Sequence, residues 1–254
     1  MGKRMKILLT NDDGYEARGI RLLKEALSAD HDVYVSAPLR QMSASGHSIT
    51  LFRPMEIRNI GEREFAVDGT PADCVKVALF HLFRDIPFDL IVSGVNDGPN
   101  MGEDIFYSGT VAGAREGSLN KIFAIACSLD NWAGERYFEN TALFVSRLVN
   151  GLPREILKER IVLNVNFPNR PELTGVRITH LGERVYKDHI TLENRDGKTF
   201  VTIGGDDPSF SSDPGSDLDA VAEGFVSITP LVNELYSADW VKKLSGLENI
   251  SVRS

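Results

Sequence analysis

Cysteine is nearly absent from this 254-residue sequence: Cys74 and Cys127 are its two, each inside an apolar segment. They supply no disulfide framework and read as free buried thiols, which suits a reducing compartment. No apolar run approaches the ~18 residues that a membrane span needs. The start, Met1-Gly2-Lys3-Arg4-Met5, is basic, but the apolar stretch behind it is far too short for a signal peptide. A cytoplasmic protein without membrane contact is therefore expected. Positive charge is also in deficit, with 28 Lys and Arg against 36 Asp and Glu, a net charge of −8. That balance excludes a general binder of nucleic-acid polymers, which hold phosphate backbones with clustered Lys and Arg. It leaves small phosphate esters, which a metal ion or backbone N–H groups can hold locally. The five histidines show no paired spacing. His31, His81, His180 and His189 read as structural, and only His47 falls in a loop of interest. No internal repeat or low-complexity linker divides the chain.

What is present is an α/β pattern. Residues 6–10 (KILLT) form a short apolar strand that stops at Asn11-Asp12-Asp13-Gly14. Ile20, Leu22, Leu23, Ala26 and Leu27 then recur at helical spacing, and 32–36 (DVYVS) reads as a second strand, closing a βαβ unit. Thr70-Pro71-Ala72-Asp73 is a helix start, with Thr70 at the N-cap and Pro71 in the first turn. Strands are expected at 88–93, 122–128 and 161–167, and helices at 109–119 and 136–148. Such near-continuous Val, Ile and Leu strands imply a mostly parallel sheet covered on both faces. The expected fold is a Rossmann-like three-layer α/β/α sandwich. The last third differs: Asp196-Gly197 joins two alternating segments across 190–203, a hairpin signal. A loop over 204–219, a late strand at 225–229 and a helix over 235–244 follow. A single domain is expected, with a core over about 1–182 and a C-terminal extension over 183–254.

Four polar segments follow strands. Asn11-Asp12-Asp13-Gly14 sets two carboxylates side by side, where open α/β sheets place their sites. The two acids raise one another's pKa unless a cation joins them, although an Asx turn explains the same residues. Ser93-Gly94-Val95-Asn96-Asp97-Gly98-Pro99-Asn100 repeats the chemistry, with a plain turn as the alternative. Tyr107-Ser108-Gly109-Thr110 opens a helix with small hydroxyl residues, suiting either a phosphate or ordinary capping by Ser108. It is not a Walker A loop, because the Lys and the glycine spacing are missing. Ser43-Ala44-Ser45-Gly46-His47-Ser48 is a polar loop after the second strand. Each segment is weak by itself; four at successive strand ends of one sheet make a site.

The stretches ILLTNDDGYEARGI, SAPLRQMSASGHSIT, GTPADCVKVAL, LIVSGVNDGPNMGEDIFYSGTVAGAREG and FVSITPL together resemble the SurE family of stationary-phase survival proteins, which are metal-dependent nucleotidases. The resemblance covers most of the first 130 residues and anchors the C-terminal end. It implies one divalent cation held by Asp12, Asp13, Ser43 and Asn96, with Asp12, Asp13 and Asn96 catalytic. It also implies a phosphate site formed by Asn11, Ser108, Gly109 and Thr110. These ligands are all oxygen donors, which favours Mg²⁺ or Mn²⁺ and accommodates Ca²⁺, rather than zinc. The implied reaction is hydrolysis of nucleoside 5′-monophosphates, with room for 3′-monophosphates and a secondary exopolyphosphatase activity. The implied assembly is a homodimer or homotetramer built through the C-terminal hairpin. Asp97 occupies a position that varies in the family.

Two rivals stand beside this reading. Asp12 as a covalent nucleophile would resemble haloacid-dehalogenase phosphatases, but their Asp-x-Asp-x-Thr is not the Asp-Asp-Gly found here. A non-catalytic nucleotide-binding stress module gains nothing from two adjacent negative charges.

Overall fold

The computed structural model describes residues 4–130, 134–186, 188–205 and 209–249. The first three residues of the basic start and residues 206–208 of the expected loop lie outside that description. In chain order the first half contains β1 (Lys6–Thr10), α1 (Arg18–Ser28), β2 (Asp32–Pro38), β3 (Ile57–Gly61), β4 (Glu64–Val67), α2 (Pro71–Val77), β5 (Leu90–Asp97) and α3 (Gly109–Leu119). Then come β6 (Ala124–Leu129), α4 (Phe138–Gly151), β7 (Val162–Phe167), β8 (Gly175–Ile178), β9 (Arg184–Val185), β10 (Asp188–Arg195), β11 (Lys198–Gly205), β12 (Ser209–Phe210), α5 (Asp217–Ala222), β13 (Phe225–Leu231) and α6 (Ala238–Leu244).

Nine strands form one sheet in the order β3-β4-β2-β1-β5-β6-β7-β13-β8. Only the β3–β4 and β13–β7 pairings are antiparallel, so the sheet is mostly parallel as expected. Strand alternation sorts the core into two halves. Ile7 and Leu9 of β1 face one side with Val92, Ile125 and Val165, where α1 (Ile20, Leu23, Leu27) and α4 (Val145, Val149) cover them. Leu8, Ile91, Ala124 and Ala126 face the other side, against Val75 of α2 and Val111 and Ala114 of α3. This is a three-layer α/β sandwich. Buried strands read as continuous apolar runs because both of their faces are covered.

Thr70 caps α2 as anticipated: its hydroxyl accepts from the Asp73 N–H, and Asp73 accepts from the Thr70 N–H. Other boundaries move. The fourth helix runs two residues later at its start and ends at Gly151, and the final helix begins at Ala238, capped by Ser237. The 204–219 segment is not all loop, since it carries β12 and the first turn of α5. β5 extends through Asn96 and Asp97, so the second polar segment is partly strand. Strands β3, β4, β8, β9 and β12 and helix α5 were not foreseen; β3 and β8 show why most plainly. Both lie at sheet edges with half or more of their residues exposed, which removes the apolar signature of a strand.

The Asp196-Gly197 hairpin forms as expected. Both turn residues have positive φ (+50° and +71°), the backbone that Asp-Gly tolerates best. Among the described residues β10 and β11 pair only with each other, outside the nine-stranded sheet. Among the described residues no helix is long and apolar enough to cross a membrane.

Candidate active site

β1 and β5 are neighbours, and their carboxyl ends bring the first two polar segments side by side. The loop after β2 folds over them, tied down by the Met42 N–H donating to the Asp12 carbonyl at 2.7 Å. The N-terminus of α3 closes the third side. Gly109 permits this approach, because a Cβ there would lie 2.8 Å from both the Asp12 Cβ and the Ser45 Oγ. The result is a cleft of about 570 Å³ lined by Asp12, Asp13, Ser43, Asn96, Asp97 and Ser108, among others. A larger hollow between α1 and the β3–β4 hairpin contains none of these residues.

Asp12 is 4% exposed, and its Oδ1 accepts a hydrogen bond from the Thr110 hydroxyl. Burial pushes its carboxyl up to about 6, outweighing the Thr110 bond, and the neighbouring Asp13 adds to the rise. Burial raises Asp13 as well, against the pull of the Asp97 N–H that donates to its Oδ2 at 3.1 Å. Among the described residues neither carboxylate has an ion-pair partner. Asn96 spends its amide N–H on the Gly98 carbonyl at 2.7 Å, which leaves its carbonyl oxygen as a donor atom for a cation. Ser43 accepts from Gln41 at 3.0 Å. Two unneutralised carboxylates, an amide oxygen and a hydroxyl therefore share one cleft, a donor set that fits a hard divalent cation. Among the described residues no cluster of three or more His, Cys, Asp or Glu side chains could hold a metal ion. This set has only two such groups and is completed by Ser and Asn.

The residues expected to face phosphate are placed differently from one another. Ser108 lines the cleft, yet its hydroxyl also caps α3 by accepting from the Val111 N–H at 3.0 Å. Thr110 is fully buried, with its hydroxyl directed to Asp12. Asn11 is buried beneath the turn and donates to the Gly14 carbonyl at 2.8 Å, while its Oδ1 has no partner among the described residues. His47 does not line the cleft; its ring bonds Glu116 at 3.0 Å.

Sequence reasoning missed the far wall. Asp104, Tyr107, Tyr186 and Ile203 line the same cleft. The Tyr186 hydroxyl donates to Asp104, whose other oxygen takes Arg184, so the Tyr186 ring is held in place. These residues come from the segment before α3 and from the C-terminal extension, and no local spacing links them. The floor was missed too. Asn100 bonds Ser128, Asn164 and Asn166 in a buried network that holds the turn after β5.

Residues 7–188 match the family model described as "Survival protein SurE". A protein of Myxococcus xanthus named 5′-nucleotidase SurE is 44% identical over 249 residues, covering 96% of this chain and 94% of that protein. A 5′-nucleotidase SurE of Geotalea uraniireducens is 45% identical over 231 residues, covering 89% and 92%. The crystal structure of the SurE protein from Aquifex aeolicus superposes with a TM-score of 0.83 at 38% identity, over 96% of this chain and all (100%) of that one.

Proposed function

Because the chain belongs to the SurE family, we infer that it is a 5′-nucleotidase, a phosphomonoester hydrolase that releases nucleoside and inorganic phosphate. The observation that carries the reading is the pair Asp12 and Asp13, which have no ion-pair partner among the described residues and share a cleft with Ser43 and Asn96. Asp12, Asp13, Ser43 and Asn96 would hold one divalent cation, Mg²⁺ or Mn²⁺ by the chemistry of the donors, with Ca²⁺ tolerated. When bound, such an ion lowers the pKa of water and offsets phosphoryl charge.

The protein's own residues do the rest. Ser108 and Gly109, at the start of the 11-residue helix α3, meet the phosphoryl oxygens. Gly109 keeps that helix end close to Asp12. Thr110 holds Asp12 from behind, and Asn11 fixes the turn that presents it. The proton of the attacking water passes to a carboxylate of the Asp12–Asp13 pair. Tyr107 and Tyr186 offer ring faces to the nucleoside. Substrates extend to 3′-monophosphates and, as a secondary activity, to polyphosphate.

We take the chain as a single domain, since β13 inserts between β7 and β8 and knits the extension into the core sheet. The apolar face of the hairpin supports at least a homodimer. Ile190 pairs with Ile203 and Leu192 with Val201, and all four are more than half exposed. A lone hairpin with that face in water is marginal. Two free buried thiols suit a cytoplasmic setting.

Phosphate release from 5′- and 3′-mononucleotides and polyphosphate, with EDTA and then each metal restored, tests the function. Release that EDTA abolishes and Mg²⁺ or Mn²⁺ restores is expected. Nucleotide binding without any release would instead support the non-catalytic module.

A further inference from the structure

Asp97 stands directly after Asn96 and lines the same cleft as Asp12 and Asp13. Its backbone and side chain bond in two directions. The N–H donates to Oδ2 of Asp13 at 3.1 Å. The carboxylate accepts from Nε of Arg136 at 2.8 Å, and Arg136 is itself tied to the Gly134 carbonyl at 3.3 Å. A relay thus runs from the segment before α4, through both parts of Asp97, to a carboxylate of the cation site. We propose that Arg136 is a positioning residue for the cation site: by anchoring the Asp97 carboxylate it sets the Asp97 N–H that orients Asp13. The inference rests on the metal-site reading above.

The pair is not there for overall stability. Its side chains are 27% and 45% exposed, and ion pairs that open to water contribute little. Its effect is local. Four carboxylates line the cleft; Asp104 is held by Arg184 and Tyr186, and a cation there attracts Asp12, Asp13 and Asp97 together. Without the Arg136 bond the Asp97 carboxylate is less restrained from turning toward the cation as a competing ligand. That turn distorts the Asp97 N–H bond to Asp13 at the end of β5 and loosens the direction of the Asp13 carboxylate. Anchored by Arg136, Asp97 orients the site without entering it. Partners that orient ligating groups commonly change metal affinity by about 10- to 100-fold.

A purely electrostatic role predicts the opposite sign at Arg136 and equal losses for Asp97→Ala and Asp97→Asn, which makes the inference testable. Removing Arg136 would then leave an extra uncompensated negative charge and tighten cation binding, while neutralising Asp97 would weaken it. Mn²⁺ binding to the metal-free chain is measured by calorimetry for wild type, Arg136→Gln, Asp97→Ala, Asp97→Asn and the Arg136→Gln/Asp97→Ala double variant. Positioning predicts roughly tenfold weaker binding for Arg136→Gln and Asp97→Ala. Asp97→Asn stays near wild type, because an amide oxygen still accepts from Arg136. The double variant is no weaker than Asp97→Ala alone. Thermal unfolding without metal should be unchanged in all of them. Should Arg136→Gln fail to fold, the contrast between Asp97→Ala and Asp97→Asn decides by itself. Equal or tighter binding by Arg136→Gln, or equal damage from Asp97→Asn and Asp97→Ala, overturns the inference. A wild-type chain that takes up no Mn²⁺ overturns the metal-site reading, and this inference with it.

Discussion

The Thr110 hydroxyl donates to Oδ1 of Asp12 across 98 residues of sequence, and both side chains are buried. Thr110 therefore acts on the site through a carboxylate. The bond favours the ionised form of Asp12 against burial, which pushes the other way. Thr110→Val removes the donor at nearly constant volume, while Thr110→Ser keeps it. A hydrogen bond to a charged group contributes about 1.5–3 kcal/mol, so kcat/KM should fall roughly 10- to 100-fold in the Val variant and recover in the Ser variant. Steady-state phosphate release measures both, and equal activity of the two variants refutes the role.

Asp12→Asn and Asp13→Asn should each lower turnover by several orders of magnitude with the fold intact. A cation ligand acts chiefly on the transition state, where phosphoryl charge is offset. Circular dichroism establishes folding, and phosphate release establishes the loss. Normal turnover in either folded variant would falsify the site assignment.

Glu116 connects three elements at a distance from the cleft. Its carboxylate takes Lys76 at 2.8 Å, His47 at 3.0 Å and Asn120 at 3.0 Å. Burial pushes the carboxyl up, but the His47 and Lys76 bonds outweigh it, and the net direction is below the ordinary 4.5. A depressed carboxylate stabilises the fold above its unfolded pKa and loses that contribution as pH falls through the folded pKa. Glu116→Gln should therefore melt below wild type at neutral pH. The gap should close in acid, below about 4.5, where the wild-type carboxyl gains its proton. Paired melting curves across pH check this, and a gap constant with pH counts against it.

Tyr107 and Tyr186 line the cleft, and on the proposed reading they should separate nucleotides from other phosphate esters. Replacing either ring by Leu should raise KM for a nucleoside 5′-monophosphate roughly tenfold, since stacking on an aromatic face is worth about 1–3 kcal/mol per base. Hydrolysis of glycerol 2-phosphate, which has no ring to stack, should hold steady. An equal rise for both substrates would move these residues from recognition to structure.

The exposed hairpin face predicts assembly. Light scattering should report at least a dimer at micromolar concentration. Leu192→Glu with Val201→Glu, opposite one another on that face, should lower the mass. A monomeric wild type refutes the claim, and an unchanged mass in the double variant places the contact elsewhere.

Much of this protein was legible before folding, for a local reason. Apolar runs that end in Asn, Asp and Gly mark strand ends, and the Asp196-Gly197 turn needs only its own backbone preference. The cap of α2 is likewise local, because Thr70 and Asp73 are three residues apart. By itself the sequence determined the sandwich, its buried strands and the residue types gathered at their ends. Edge strands β3 and β8 escaped notice because exposure removes the apolar signature that marks a strand. Only the tertiary structure decided the pairs that lie far apart along the chain: Thr110 on Asp12, Asp97 between Arg136 and Asp13, and Tyr186 on Asp104. Sheet order and loop closure set such contacts, and a hydrogen bond across 39 to 98 residues leaves no periodic trace in either of the segments that it joins.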